Sequence, residues 1–323
     1  MSGTMASIDR VTHRLKLRDL RLLDTVVRWG SMAKASNQLH LSQPAVSKAV
    51  AEMEQLLGVR LIERGRMGVE PTAHGRALLK RGIAIFDELR QGIADLEHLS
   101  DPTAGEVRIS ASEPVAIGLL PHLIDRFSRA YPKVSIYVTQ APIASLQLLT
   151  PQHRDLRERN VDLVIGPIFA PLAEDDLACE PLFEEPSVVA ISSKSKWARA
   201  RAITLAALLD EPWCLQPANT RAGLSHIDAF SGSGLDLPRR KVTSGSVQVQ
   251  IGLLGTQRYL TIFPSSLVRF GGGRLSIKAL PIKLPITPWA VGIVTLKKRS
   301  ISPAARLFIE MAREATRSMP RAS

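Results

Sequence analysis

The sequence predicts an α+β multidomain protein, and three patterns in the chain support this fold class. Short amphipathic helical patterns with tight connections run from residue 15 to residue 72, and one long helical pattern without an internal proline follows. Beyond Gly105, short apolar runs typical of strands alternate with amphipathic helices. A chain of 323 residues is too long for one average domain. We therefore expect three parts: residues 15–72, a linker helix and hinge over residues 73–104, and an α/β domain over residues 105–318.

Composition and hydropathy are typical of a globular protein with buried cores. Hydrophobic residues make up 45% of the chain and charged residues 22%. No run reaches the roughly 18 apolar residues of a membrane span, and residues 1–17 lack the apolar segment of a signal peptide. Cys179 and Cys214 lack the spacing of a disulfide framework or a metal site. We expect a cytoplasmic protein with reduced cysteines and no membrane partner.

Positive charge is concentrated in the first part of the chain. The formal net charge is +12, and the segment from Arg10 to Arg81 holds 14 Lys and Arg against 6 Asp and Glu. A local excess of this kind suits a surface that neutralises phosphates, because counterion release supplies much of the affinity for DNA. Many basic proteins bind no DNA, so the charge alone does not decide the function.

Two short helices with a tight turn form the most informative pattern. Ser31 is a good N-cap for a helix over Met32–Leu39, and the turn at His40 and Leu41 follows. Ser42 then caps a second helix, whose first turn tolerates Pro44. One face of that helix carries a core stripe of Val46, Val50, Met53 and Leu57.

The opposite face of the second helix carries polar groups near its N-terminal end. A helix-turn-helix enters the major groove with this end of its second helix, which here carries Gln43, Ser47 and Lys48. Two ordinary packed helices with a polar outer face are the alternative. After Gly58, residues 59–68 predict a short strand and a basic hairpin, a wing that could contact the minor groove or phosphates. The candidate DNA-binding residues are Ser31, Ala33, Ser42, Gln43, Pro44, Ser47, Lys48, Arg64 and Arg66.

The long helical pattern predicts a linker helix that starts at an N-cap, Thr72. Gly82 and Gly92 lie within it and permit close helix approach, and Ser100–Gly105 forms the hinge after it. The helix carries a broken, coiled-coil-like seam at which two copies could pack, and the alternative is a helix packed within its own chain. The seam consists of Leu78, Ile85, Leu89, Leu96 and Leu99.

The last part of the chain predicts an α/β domain. Val107, Ile109 and Ala111 alternate as a first strand, and a helix over about 115–130 follows. Residues 162–165 form an apolar run of the kind buried in a parallel sheet, which we expect to stop at Gly166 and Pro167. The other predicted elements are strands over 134–138, 187–191, 213–215, 260–262 and 289–296, and a final helix capped by Ser302 with Pro303 in its first turn.

The order of these elements and three strings resemble the LysR-type transcriptional regulators. The strings are SQPAVSK at residues 42–48, LGVRLIERGR at 57–66 and PTAHG at 71–75. The resemblance covers nearly the whole chain, since an α/β domain follows at the expected place. The sequence departs from the pattern of that family at four positions, Ala33, Ser36, Pro71 and His74. These departures affect local stability or helix capping more than contact with DNA.

The resemblance implies a two-lobed, periplasmic-binding-protein-like effector domain. Lobe I would comprise residues 105–167 and 269–318, and lobe II residues 168–268. The implied partners are double-stranded promoter DNA, a small-molecule effector (a sugar or an organic acid) and other copies of the chain. The linker helix would form the dimer and two dimers a tetramer, with RNA polymerase as a further candidate partner.

In such folds small molecules bind in the cleft, at strand ends and helix N-termini. Each cleft candidate could equally be a cap or turn residue. A glutamate in the cleft would oppose a carboxylate ligand, which favours a neutral polyol or sugar. The candidates are Ser112, Glu113, Pro114, Pro167, Ile168, Gln216, Asn219, Thr220 and Ser246.

The sequence therefore predicts a sequence-specific, DNA-binding transcriptional regulator modulated by a small-molecule effector. A solute-binding protein without a regulatory role is the alternative, but it should carry a signal peptide and no DNA-binding part. An enzyme is not expected, because the histidines make no metal-site spacing and Gly271–Gly273 lacks the residues of a phosphate loop. We expect no cofactor, no metal and no catalytic residue.

Overall fold

A computed structural model describes residues 8–65, 68–140, 151–168 and 175–320. The chain divides into two compact units within the long helix, the first ending at Arg90 and the second beginning at Gln91. In the described part of the chain, no helix is both long and apolar enough to cross a bilayer.

The first unit contains a helix-turn-helix followed by a two-stranded hairpin. The predicted helices are confirmed, and the second of them begins at Gln43 as Ser42 and Pro44 require. Its elements are α1 Ile8–Arg14, α2 Leu17–Trp29, α3 Met32–Leu39, α4 Gln43–Leu57, β1 Ile62–Gly65, β2 Gly68–Pro71 and the start of α5 Ala73–Ser100. Its core is formed by Leu22, Leu23, Val26, Met32, Ala35, Val46, Val50, Met53, Leu61, Ile62 and Val69.

Backbone contacts hold the hairpin β1–β2 against the helices of this unit. Gly68 has φ +118°, and the N–H of Val69 donates to the Gly30 carbonyl at 2.8 Å. A Cβ at Gly68 would lie 2.4 Å from the Gly30 oxygen, so this approach requires glycine. The Glu54 carboxylate on α4 accepts hydrogen bonds from the N–H groups of Leu61 and Ile62, at 2.7 and 3.2 Å.

The second unit alternates strands and helices as predicted. Besides two short 3-10 helices at Lys196–Arg199 and Ala206–Leu208, it contains the following elements. They are β3 Ala104–Ala111, α6 Glu113–Ile117, α7 Leu119–Ala130, β4 Lys133–Gln140, α8 Pro151–Arg157, β5 Leu163–Ile168, β6 Leu177–Glu185, β7 Ser187–Ser192, β8 Trp213–Leu215, α9 Arg221–Ser231, β9 Lys241–Thr243, α10 Val247–Gly255, β10 Thr261–Pro264, α11 Ser265–Leu275, β11 Ile277–Ala279, β12 Trp289–Leu296 and α12 Pro303–Thr316.

Two principal sheets organise this unit, each with its own core. The larger has the order β4-β3-β5-β12-β6, with β3 parallel to β4 and β5, and β12 antiparallel to β5 and β6. Phe127, Phe183 and Phe308 lie in its core. The smaller has the antiparallel order β10-β7-β11. Trp213 and Phe230 pack beside it with ring centroids 5.2 Å apart, and β8 pairs with β9.

Two predicted elements differ from the structure. The helix expected over 115–130 is two helices, α6 and α7, which break at Gly118, where a Cβ would lie 2.7 Å from Leu267 Cα. The strand expected to stop at Gly166 continues as β5 to Ile168, because Pro167 and Ile168 pair with Val291 and Ala290 of β12.

The strand pairing also differs from the predicted lobe division. Residues 177–185, expected in lobe II, form β6 and pair with β12 in the larger sheet. Residues 277–279, expected in lobe I, form β11 and pair with β7 in the smaller sheet. The chain therefore rejoins the larger sheet at β12 rather than near residue 269.

Candidate DNA-binding face and ligand cavity

Side-chain caps set the turn between α3 and α4. The Ser31 hydroxyl accepts a hydrogen bond from the N–H of Lys34 at 3.4 Å, and the Ser42 hydroxyl accepts one from Ala45 at 3.3 Å. His40 takes the left-handed conformation, with φ +54°, that ends α3. Both predicted N-caps are therefore present, and the serines are partly committed to the backbone.

The N-terminal end of α4 presents an exposed polar face. Gln43 and Lys48 are exposed and Ser47 is half-buried, while Val46 and Val50 face the core. The first turn of α4 contains no acidic residue, so its free N–H groups and positive dipole end stay available to an anion. Lys48 pairs loosely with Glu52, at 3.9 Å and with both side chains exposed, which leaves its ammonium in solvent.

The remaining DNA-binding candidates occupy different positions. Ala33 and Pro44 are exposed. Arg64 lies in β1, and Arg66 lies outside the described residues. Lys34 is exposed on α3, and the sequence analysis did not name it; its place directly after the predicted Ala33 was the available signal.

A cavity of about 130 Å³ lies within the second unit, between the larger sheet and the elements around the smaller one. Six predicted cleft residues line it, namely Ser112, Glu113, Pro114, Pro167, Gln216 and Thr220. Ile168, Asn219 and Ser246 are not among the lining residues. Ile168 follows Pro167 in β5 and so projects to the other side of the strand, and Asn219 is exposed in the turn before α9.

Glu113, the first residue of α6, reaches across the cavity to α10. Its Oε1 accepts hydrogen bonds from the Ser246 hydroxyl at 3.4 Å and from the N–H of Gln248 at 3.2 Å. Ser246 is the N-cap of α10 and also accepts from the N–H of Val249. A carboxylate and a hydroxyl thus cap the same helix N-terminus.

A second carboxylate, Glu185, lies at the end of β6 and is 1% exposed. Its Oε1 accepts from the Ser265 hydroxyl at 2.8 Å and from the N–H of Ser266 at 3.0 Å, at the start of α11. Burial raises the pKa of this carboxyl, and hydrogen bonds from the side chains and backbone of Ser266 and Ser265 oppose the rise. Its other oxygen, Oε2, meets no hydrogen-bond partner in the described part of the chain.

Neutral polar side chains, linked by hydrogen bonds, complete the polar lining of the cavity. Gln250 is fully buried, donates to the Thr261 hydroxyl at 2.9 Å, and accepts from the Gln216 side chain at 3.0 Å. His226 Nδ1 accepts from the N–H of Gln216 at 3.2 Å. Burial lowers the pKa of His226 to about 4, so its imidazole is neutral at pH 7.

The sequence analysis missed several lining residues. Glu185, His226, Gln250, Ser266 and Trp289 all line the cavity. Ser266 had a weak signal, since it follows a predicted strand at the start of a helix. The other four carry no local signal, because distant strands and helices bring them together.

The chain combines a winged helix-turn-helix, a long helix and an α/β unit with a lined cavity. This combination defines the class of ligand-responsive DNA-binding regulators. Two family models match the chain. Residues 17–76 match the bacterial regulatory helix-turn-helix protein, lysR family, and residues 100–317 match the LysR substrate binding domain. The chain belongs to the LysR family of transcriptional regulators, which confirms the predicted family and fold class.

Relatives and solved structures agree over nearly the full length. The HTH-type transcriptional regulator TdcA of Escherichia coli (strain K12) is 28% identical over 300 residues, covering 93% of each chain. GbpR of Azospirillum brasilense is 28% identical over 94% of this chain and 87% of its own. Among structures, a full-length OxyR variant from Pseudomonas aeruginosa is 22% identical, with a TM-score of 0.61 over 95% of this chain and 96% of its own. Full-length CbnR in complex with its target DNA is 20% identical, with a TM-score of 0.63 over 93% and 100%.

Proposed function

We propose that this regulator recognises promoter DNA through the first turns of α4. The observation that carries the proposal is the polar face formed by exposed Gln43 and Lys48 and half-buried Ser47, at a helix end without acidic residues. Amide and hydroxyl groups can read base edges, and the helix end and Lys48 can hold a phosphate. The solved complex of CbnR with its target DNA supports DNA binding by a protein of this fold.

The proposed regulatory cycle couples this face to the cavity of the second unit. A small-molecule effector binds there and shifts the population between two arrangements of the two lobes. The chain acts as a homo-oligomer, a dimer of dimers on an inverted repeat, because one recognition helix reads few bases. Contact with RNA polymerase and a cytoplasmic location belong to the same proposal. The proposed domain boundaries lie at residues 72, 104 and 318, as the sequence predicts.

Single substitutions on α4 test the reading face. Gln43→Ala and Ser47→Ala should each reduce discrimination between an operator selected from random DNA and unselected DNA, by about 1–3 kcal/mol per lost base contact. Fluorescence anisotropy of both DNAs at fixed salt measures that ratio. The matched control is Gln55→Ala, since Gln55 is also exposed on α4 but lies about 18 Å further along the helix.

The control should keep the wild-type ratio of the two affinities. If Gln43→Ala and Ser47→Ala keep it as well, α4 does not read the bases through this face and the proposal is wrong.

A further inference from the structure

A second cavity, of about 260 Å³, lies at the surface of the second unit, and among the described residues it shares no lining residue with the ligand cavity. Segments that are distant in the chain meet there: the start of the 3-10 helix Lys196–Arg199, the residue before β9 and the loop before β10. Each of them contributes a cation. The charged residues of the lining are Lys196, Glu211, Arg240 and Arg258.

Backbone hydrogen bonds fix where the two arginines lie. The N–H of Trp213, the first residue of β8, donates to the Arg240 carbonyl at 2.9 Å. Arg258 is two residues before Leu260, whose N–H donates to the carbonyl of Pro212 at 2.9 Å. Both arginines are therefore anchored to the same short stretch of backbone at the start of β8.

Two positive charges at this cavity have no counter-charge within the described chain. The Lys196 ammonium lies 2.6 Å from the Glu211 carboxylate and 5.1 Å from the centre of the Trp197 ring, so lysine and glutamate form a neutral pair. Arg240 and Arg258 are exposed, and neither guanidinium makes a hydrogen bond or an ion pair with a residue that the structure describes. The lining therefore has a net charge of about +2 at neutral pH.

The chemistry of these side chains favours a phosphate group. A guanidinium is a planar fork of N–H donors that matches the oxygens of a phosphate. A phosphate monoester carries a charge of about −1.5 to −2 at pH 7, whereas a carboxylate carries only one negative charge. Arg239 and Lys241 flank Arg240 and are exposed as well. They strengthen the positive potential that draws an anion to the cavity.

We infer that this cavity binds the phosphate group of a small phosphorylated molecule, with Arg240 and Arg258 as its ligands. Gln257 also lines the cavity and is exposed, and its amide supplies a further donor. The concave shape suits a small molecule. The inference goes beyond the proposed function, because it gives the second unit a further ligand site, separate from the cavity proposed for the effector.

Three probes with one three-carbon body separate the head groups. Glycerol 3-phosphate, glycerate and glycerol are titrated into the full-length protein at constant ionic strength. The midpoint of thermal unfolding, Tm, is followed, because a ligand that binds only the folded state raises Tm. Glycerol 3-phosphate should raise Tm in a concentration-dependent way, and the other two should not. No rise with glycerol 3-phosphate, or an equal rise with glycerate, would overturn the inference.

Variants locate the binding site. Arg240→Ala and Arg258→Ala should each abolish the shift that glycerol 3-phosphate produces, measured from the Tm of the same variant without the probe. Arg239→Ala is the matched control, because it removes the same charge from an exposed neighbour that does not line the cavity. A shift that survives the first two substitutions, or is lost equally in the control, contradicts the assignment.

Operator DNA tests the other source of phosphate groups. The double variant Arg240→Ala/Arg258→Ala should bind the operator with wild-type affinity and with the same dependence on salt concentration, as measured by fluorescence anisotropy. The slope of log K against log salt concentration changes by about 0.9 for each phosphate contact that is lost. A shallower slope in the double variant would show that these arginines contact the DNA backbone, and the assignment to a small molecule would be wrong.

Discussion

At the scale of single residues, His226 makes folding stability depend on pH. Burial holds its pKa at about 4, below the ordinary value of about 6.5. Between these two pKa values His226 binds a proton in the unfolded chain but not in the folded chain. Its contribution to the free energy of unfolding is therefore complete above about pH 6.5 and is lost as the pH falls towards 4. We expect His226→Gln to flatten the decline of Tm between pH 7 and pH 5.

Burial raises the pKa of Glu185, so its contribution to the free energy of unfolding changes with pH in the opposite direction. Because Glu185 is present in both proteins, the difference between the variant and wild type reports on His226. The control is His122→Gln, the same substitution at an exposed position of the same unit. If His226→Gln and His122→Gln show the same pH profile as wild type, protonation of His226 does not limit stability.

Residues whose role depends on their neighbours in the chain were predictable. Ser31, Ser42 and Ser302 were identified as N-caps from their types and positions, and each makes the expected hydrogen bond. Glu185 and His226 were not found, because their partners come from other elements. Glu185 meets Ser266, which is 81 positions away in the chain, and no local pattern signals such a pair.

At the scale of elements, the hairpin β1–β2 depends on one glycine. Gly68→Ala should destabilise the first unit and weaken DNA binding, because a Cβ there would meet the Gly30 carbonyl and φ is +118°. Gly65→Ala is a matched control in the same hairpin, since a Cβ at Gly65 meets nothing within 4 Å and φ is not in the left-handed region.

Urea unfolding and anisotropy on operator DNA measure the two effects. Gly65→Ala should differ little from wild type in unfolding. Equal stability of the two variants would show that the hairpin does not depend on its close contact with the end of α2.

Long periodic elements were predicted more accurately than short paired ones. The periodic pattern predicted α3, α4 and α5 nearly residue by residue, and Trp289–Leu296 was predicted with its observed bounds. The strand β6 was missed because Pro181 and three glutamates hide its alternation. β6 and β11 each pair in the sheet that their position in the chain did not indicate, because sheet membership is decided by strand pairing.

At the scale of the whole molecule, the linker helix carries an apolar stripe. Ile85, Leu89, Ile93 and Leu96 follow one helix face at spacings of four, four and three, and are 45%, 49%, 49% and 65% exposed. One predicted seam position lies elsewhere, because Leu78 packs on the core of the first unit. Gly82, which was expected to permit the approach of another helix, faces Leu20. Ile93 was missed. An exposed stripe of this kind favours pairing with a second copy.

Leu96→Glu should therefore lower the molecular mass in solution, because paired stripes would bury a carboxylate without a counter-charge. Glu97→Ala is the control, since it changes an exposed position next to the stripe and leaves the apolar face intact. Light scattering over a range of protein concentrations measures the mass. Dissociation should also weaken binding to a two-half-site operator far more than to a single half-site, because the dimer doubles the base contacts. If Leu96→Glu keeps the wild-type mass and operator affinity, the copies associate through another surface.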